Sequence, residues 1–190
     1  MRFILFITLI TEGLISQDLK MVTDQKTETP ILIGIGTRLD LERSPYDEWF
    51  LEEYETYEAE NDLINAANDL VGGVEVETFI GTWCKDSHRE VPRFYKIFDQ
   101  LSWDPGAMRL IMLDRDKKSG RNIEDGKDVH HVPTFIFLKN GTEIGRIVES
   151  PIESLEEDMF NILIGSPSTP NYSDSVSYTH LRAHEPEADL

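Results

Sequence analysis

The sequence predicts an α/β domain in which helices flank a central mixed β-sheet. Three observations carry this. An alternating apolar run, Val74 and Val76 then Phe79 with Ile80, gives way to a helical pattern near residue 84 and then to a second apolar run, Met108-Arg109-Leu110-Ile111-Met112-Leu113. Strand, helix, strand in that order requires a parallel pair. Two further runs, residues 134–138 and 143–148, flank Lys139-Asn140-Gly141-Thr142, an Asn-Gly hairpin turn whose strands are antiparallel. A last amphipathic stretch turns Leu155, Met159, Ile162 and Leu163 inward and stops at Gly165.

The chain of 190 residues suits one domain with appendages, and an apolar content of 39% with nine phenylalanines and three tryptophans is enough for a core. Against 18 basic residues stand 36 acidic ones, a formal charge of −18. That balance argues against nucleic-acid partners and against docking on anionic membranes; a solvated surface accounts for it. One cysteine excludes an intramolecular disulfide and any multi-cysteine metal or iron–sulfur site built by this chain alone.

The N-terminus begins Met1-Arg2 and continues with an apolar stretch over residues 3–10, the pattern of a secretory signal over residues 1–18. Glu12 sits badly in such a segment, and a misassigned start or an N-terminal strand is the alternative. Export, to the periplasm in a bacterial cell, follows from the first reading and a cytoplasmic location from the second. The stretch is too short to span a membrane, so no stable insertion of the mature chain is expected, and no cysteine follows it to carry a lipid. Residues 19–43 read as a linker or extension, polar to Pro30; the Gly34-x-Gly36 pair lacks the third glycine and the helix of a dinucleotide site.

Residues 44–166 form the folded unit. Ser44-Pro45-Tyr46-Asp47 has the grammar of a helix start, with serine as N-cap and proline in the first turn, and Trp49, Phe50 and Tyr54 give that helix an aromatic face suited to packing. A second helix over residues 62–71 is stopped by Gly72-Gly73. After Cys84, the residues Val91, Phe94, Phe98 and Leu101 make one apolar stripe of a helix that Pro92 should kink near its middle. Residues 115–128 are a polar, glycine-punctuated loop with room for one short helix. Ser150-Pro151-Ile152-Glu153 repeats the capping pattern before the last helix. Residues 167–190 read as a disordered tail, and 176–190 look like translated sequencing adapter, so His180 and His184 are discounted as metal ligands.

The chemistry gathers at Phe79-Ile80-Gly81-Thr82-Trp83-Cys84-Lys85-Asp86-Ser87-His88. A thiol where a strand becomes a helix meets unpaired N–H groups and the positive end of a helix dipole, which favour the thiolate. An ordinary thiol, of pKa near ~8.5, is only a few per cent ionised at neutral pH. Trp83 before it and polar residues after it suit an exposed turn better than a buried apolar cysteine. Within the motif Asp86 opposes ionisation if close, whereas Lys85, His88 and Arg89 favour it.

Trp83-Cys84-x-x-Ser87 with Pro92 eight positions after the cysteine resembles the active-site helix of the thioredoxin family. Val132-Pro133-Thr134-Phe135-Ile136-Phe137-Leu138-Lys139-Asn140-Gly141 resembles that family's cis-proline strand and hairpin. The resemblance is good over residues 74–165 and looser back to Ser44, where bacterial members, Bacteroidetes-like ones in particular, carry similar extensions. It implies a thioredoxin-like fold, a cis Val132–Pro133 bond facing Cys84, and a peptide groove in which the backbone of Val132 and Thr134 pairs with an extended substrate. A structural turn proline is the plainer alternative.

The departure from the family is Ser87, which stands where ordinary thioredoxins carry the second cysteine. A second thiol breaks the mixed disulfide; a serine hydroxyl can hydrogen-bond the sulfur but not displace it. The family's buried acid, six residues before the cysteine, is replaced by Thr78, with Glu77 on the opposite strand face. His88 and His131 are the candidate proton donors, although His130 and His131 also read as plain loop residues. No spacing supplies a third metal ligand, so neither metal nor cofactor is read. The resemblance implies a monomeric, monothiol thiol–disulfide exchange protein, with Cys84 as nucleophile and protein or small-molecule thiols and disulfides as partners. A non-catalytic module that holds a peptide or partner in the same groove is the alternative.

Overall fold

The computed structural model describes residues 18–173. Its elements run β1 (Leu19–Thr23), β2 (Pro30–Gly36), α1 (Arg38–Leu41), α2 (Asp47–Thr56), α3 (Asn61–Ala67), β3 (Val74–Ile80), α4 (Lys85–Phe98), β4 (Met108–Met112), β5 (Thr134–Lys139), β6 (Thr142–Val148) and α5 (Leu155–Leu163). The strands form one mixed sheet in the order β1-β2-β4-β3-β5-β6. β3 and β4 are parallel and joined through α4, and the other pairs are antiparallel. The arrangement is α/β and consistent with a thioredoxin-like fold. Among the described residues no helix is long and apolar enough to cross a membrane. The secretory-signal reading falls almost wholly on residues outside those described, as does the adapter-like stretch.

Strand alternation divides the core. Val76, Ile80, Leu110, Met112, Phe135 and Phe137 face the larger cluster, where Phe94 of α4 packs on Phe135 with ring centroids 4.6 Å apart. Phe79, Ile111, Leu113 and Ile136 face a smaller cluster, completed by Val129 and Val132 and bordered by Trp83 and Cys84. The sulfur therefore sits at the margin of the thinner layer, close to solvent.

Four expectations are corrected. Residues 19–43, read as a linker, build β1 and β2, with Leu19 opposite Gly34 and Ile35 opposite Ile111. The polar stretch between them is a hairpin connection, closed by Asp24 N–H to Thr29 O at 2.8 Å and organised by the Asp24 carboxylate, which accepts from Thr27 Oγ1. β1 is only five residues long and runs directly into the polar connection over residues 24–29, and that hid it.

Second, the Ser44 cap is not formed. Ser44–Pro45 is cis and lies in a turn closed by Tyr46 N–H to Arg43 O at 2.9 Å, so α2 starts only at Asp47. Third, Ser154 rather than Ser150 caps the last helix, its hydroxyl accepting from Glu157 N–H at 3.0 Å. Fourth, residues 167–173 belong to the folded body: Asn171 Nδ2 donates to Ser150 O at 2.9 Å. Residues 115–128 form turns without a helix, and α4 continues through Pro92.

The aromatic face of α2 packs, as its pattern suggests. Phe50 is fully buried, and α2 lies on α4 with Arg93 Nη2 2.8 Å from Glu53. α3 lies against α5, where buried Glu156 accepts from Tyr57 Oη at 2.9 Å and from Glu60 N–H at 3.1 Å.

Candidate functional site

β3 ends at Ile80, and the four residues that follow make the turn into α4. Cys84 is the N-cap of α4, in an extended conformation (φ −101°, ψ 126°), with its carbonyl accepting from His88 N–H at 3.0 Å. The first-turn N–H groups beyond it have no acceptor within the helix. The half-buried thiol donates to Val132 O at 3.2 Å. Val132–Pro133 is cis. The two stretches that carry the family resemblance, 48 residues apart in sequence, are thus joined through the sulfur.

The loop behind the sulfur is held from four sides. Trp83 Nε1 donates to Leu113 O at 2.9 Å, and its ring covers Gly81 so closely that a Cβ there would lie 2.6 Å from the indole. Leu32 N–H donates to Thr82 Oγ1 at 3.0 Å. His88 Nε2 lies 2.8 Å from Thr82 O, and its imidazole stacks on Trp49 of α2, centroids 4.3 Å apart at 11°. Fully buried Ser87 accepts from Gly81 N–H at 3.2 Å.

These contacts revise two role assignments. The Ser87 hydroxyl accepts from Gly81 N–H, and among the described residues it makes no hydrogen bond to Cys84 Sγ. His88 is engaged by Thr82 and Trp49, and burial pushes its pKa below the ordinary histidine value against the opposing effect of the Thr82 hydrogen bond. A neutral ring with its Nε2 proton on Thr82 O follows, which makes His88 a brace rather than a proton donor to Cys84.

On the solvent side, exposed Lys85 precedes Asp86, which pairs with Arg89 at 2.9 Å. Arg115 lies 4.7 Å from the Trp83 ring centroid and binds the buried Asp24 carboxylate through Nε and Nη2 at 2.6 to 3.0 Å. The Arg115 pKa is raised, first by that hydrogen bond and further by the charges of Asp24 and Cys84, so this guanidinium lies within electrostatic reach of the sulfur. Arg115 holds Asp24 well below the usual carboxylate range. Thr78 is fully buried, its hydroxyl without a hydrogen-bond partner among the described residues, and Glu77 pairs with Lys127 at 2.6 Å.

Across the site, Thr134 Oγ1 donates to His131 O at 2.8 Å. Thr134 already lies between Phe79 of β3 and Val148 of β6. A residue with strands on both sides has no open edge, so Val132 alone of the two can pair with an incoming segment. Pro133 O accepts from Glu149 N–H at 2.7 Å. His131 stacks on Tyr172 and has its Nδ1 3.8 Å from Glu149; His130 is exposed.

The sequence pointed to Trp83, Cys84, Val132 and Pro133, which the structure brings together. It did not point to Thr82, Asp24, Arg115, Glu149 or Tyr172, whose partners are remote along the chain; for Trp49 the aromatic face of α2 was the visible signal.

Comparison with known proteins finds thioredoxins among the chain's sequence relatives. The chain is 29% identical over 105 residues to thioredoxin H9 of Arabidopsis thaliana, covering 55% of this chain and 71% of that protein. It is 28% identical over 102 residues to thioredoxin of Mus musculus, covering 54% and 89%. Among solved structures, reduced Schistosoma mansoni thioredoxin pre-protein is similar, at 26% identity and a TM-score of 0.31 over 47% of this chain and 78% of that one. No family model matches the chain. Over about half its length the chain is thus similar in sequence to members of the thioredoxin family, at 28–29% identity.

Proposed function

We propose that this chain carries out thiol–disulfide exchange through Cys84 alone, with an external thiol completing each cycle. The observation that carries the reading is the half-buried Sγ at the N-cap of α4, 3.2 Å from the carbonyl that precedes the cis proline. The positive end of the α4 dipole favours negative charge at a sulfur on its N-cap.

In the first step the Cys84 thiolate attacks one sulfur of a substrate disulfide. That S–S bond breaks, the departing half leaves as a thiolate, and Cys84 is held in a mixed disulfide. An external thiolate, from a small thiol or a second protein, then attacks the mixed disulfide. Cys84 leaves as thiolate, and a disulfide joins the external thiol to the retained half. With Ser87 in place of a second thiol, the chain cannot complete this second step alone. Isomerase or monothiol reductase chemistry fits that limit better than dithiol reduction.

Trapping tests the reading. Wild type, captured from its own cell extract, is expected to yield adducts released by reductant, and Cys84→Ser none. Equal recovery from both would remove the covalent mechanism. The second reading, a peptide-holding module without turnover, is favoured by the engagement of Ser87 with Gly81, which leaves that hydroxyl on the loop backbone. Adducts that persist in excess glutathione would support it over the enzyme.

A further inference from the structure

The segment that follows α5 returns to the cis-proline loop. Asn171 Nδ2 donates to Ser150 O at 2.9 Å and to Val148 O at 3.4 Å, which pins the chain beside the end of β6. The next residue, Tyr172, lays its ring on His131 with centroids 3.8 Å apart and planes 8° from parallel. Its hydroxyl donates to Glu149 Oε2, and His131 Nδ1 stands 3.8 Å from Glu149 Oε1. Both residues of this clamp are tied to the site. His131 lies two positions before Pro133, and Glu149 donates its N–H to Pro133 O.

The Tyr172 phenol also senses the opposite motif. Its pKa is pushed above the ordinary value, first by the hydrogen bond to Glu149, with Asp86 of the α4 first turn adding to the rise. Tyr172 nevertheless stays 47% exposed, so this is a docked side chain and not part of the core.

We propose that His131 and Glu149 form a subsite for the phenolic side chain of a tyrosine in the peptide that Cys84 engages, with Tyr172 as its intramolecular stand-in. The chemistry selects the residue. A flat imidazole face takes an aromatic ring, and a carboxylate beside it takes the hydroxyl proton. Phenylalanine satisfies only the first contact, and an acidic side chain meets Glu149 as a like charge. The proposal rests on the groove beside Cys84 being a peptide site and names what that site selects. Because Tyr172 is tethered, it competes at a high effective concentration, and an incoming tyrosine must displace it.

The test uses the full chain in a Cys84→Ser background, so that no covalent step contributes. Short labelled peptides that differ only in tyrosine, phenylalanine or alanine beside a serine are titrated by fluorescence anisotropy. Tyr172→Ala is expected to tighten the tyrosine peptide about three- to tenfold and leave the alanine peptide unchanged, the range set by an aromatic stack. Adding His131→Ala is expected to erase the preference for tyrosine over alanine, and adding Glu149→Gln the preference for tyrosine over phenylalanine. The tyrosine peptide should also return the His131 imidazole resonances of the Tyr172→Ala chain towards their wild-type positions. No tightening on Tyr172→Ala, no measurable binding of the tyrosine peptide to it, or a tyrosine preference that survives His131→Ala would each overturn the subsite. Failure to trap adducts at Cys84 would overturn the exchange reaction and leave these titrations intact. Adducts formed without any tyrosine preference would overturn the subsite alone.

Discussion

Thr82 offers a direct measure of how far the N-terminal hairpin supports the thiol loop. The β2–β4 ladder ends at Gly34 opposite Met112, so the N–H of Leu32, two residues earlier, has no β4 residue beside it. Thr82 Oγ1 supplies the acceptor at 3.0 Å, in a place where Leu32 is 4% and Thr82 5% exposed. Thr82→Val keeps the shape and removes the acceptor, which leaves a buried donor without a partner. Such a change costs about 1–3 kcal/mol, against about 0.5–1.5 kcal/mol for a hydrogen bond lost where water can replace it. With a urea slope of about 2 kcal/mol/M for a domain of this size, the unfolding midpoint is expected to fall by about 0.5–1.5 M at unchanged slope. Thr82→Ser keeps the oxygen and loses one methyl group, so it should retain most of the difference. If Thr82→Val unfolds within ~0.5 kcal/mol of wild type, or Thr82→Ser loses as much as valine does, the hydroxyl does not anchor β2 to the site.

Two further outcomes follow from buried groups. The folded-state pKa of His88 lies below its unfolded value, so the unfolded chain binds its proton first. Stability is then present above the unfolded pKa near ~6.5 and falls as pH drops through it. Urea titrations at pH about 7.5 and about 5.5 should show a smaller acid loss for His88→Gln than for wild type, and equal losses would refute the assignment of a half-buried neutral ring. Glu156 is 1% exposed and accepts from Tyr57 and from Glu60 N–H, so Glu156→Ala should cost about 2–4 kcal/mol in thermal or urea unfolding, whereas Tyr57→Phe, which leaves the backbone hydrogen bond, should cost about 1–2 kcal/mol. An Ala variant as stable as Phe would show that the Glu60 contact contributes nothing.

Patterns of neighbouring residues were enough for much of this protein. Period-two apolar runs gave β3, β4, β5 and β6, and the Asn140-Gly141 turn gave the antiparallel pairing of the last two, because alternation and turn chemistry act over a few residues. Cys84 with Pro92, and Val132 with Pro133, gave the site in the same way. What escaped was set by contacts between distant segments. β1 is a five-residue edge strand, Leu19-Lys20-Met21-Val22-Thr23, that pairs only with β2 and leaves Met21 and Val22 exposed, and its hairpin is tied down by Arg115, 91 positions from Asp24. Ser87 and His88 stand within the motif, yet their roles depend on Gly81, Thr82 and Trp49, which only packing brings within reach. Tyr172 lies in a stretch poor in apolar residues, whose composition suits a solvated tail, and among its contacts are the stack on His131 and the hydrogen bond to Glu149.

The order of residues alone therefore marked a thiol at a helix start and a proline at a strand start, because both are local facts. Tertiary structure decided which groups hold the thiol loop in place, which carboxylates pair with arginines, and which side chain stacks on His131. Those outcomes depend on distances of a few ångströms between segments that nothing in the linear chain places together.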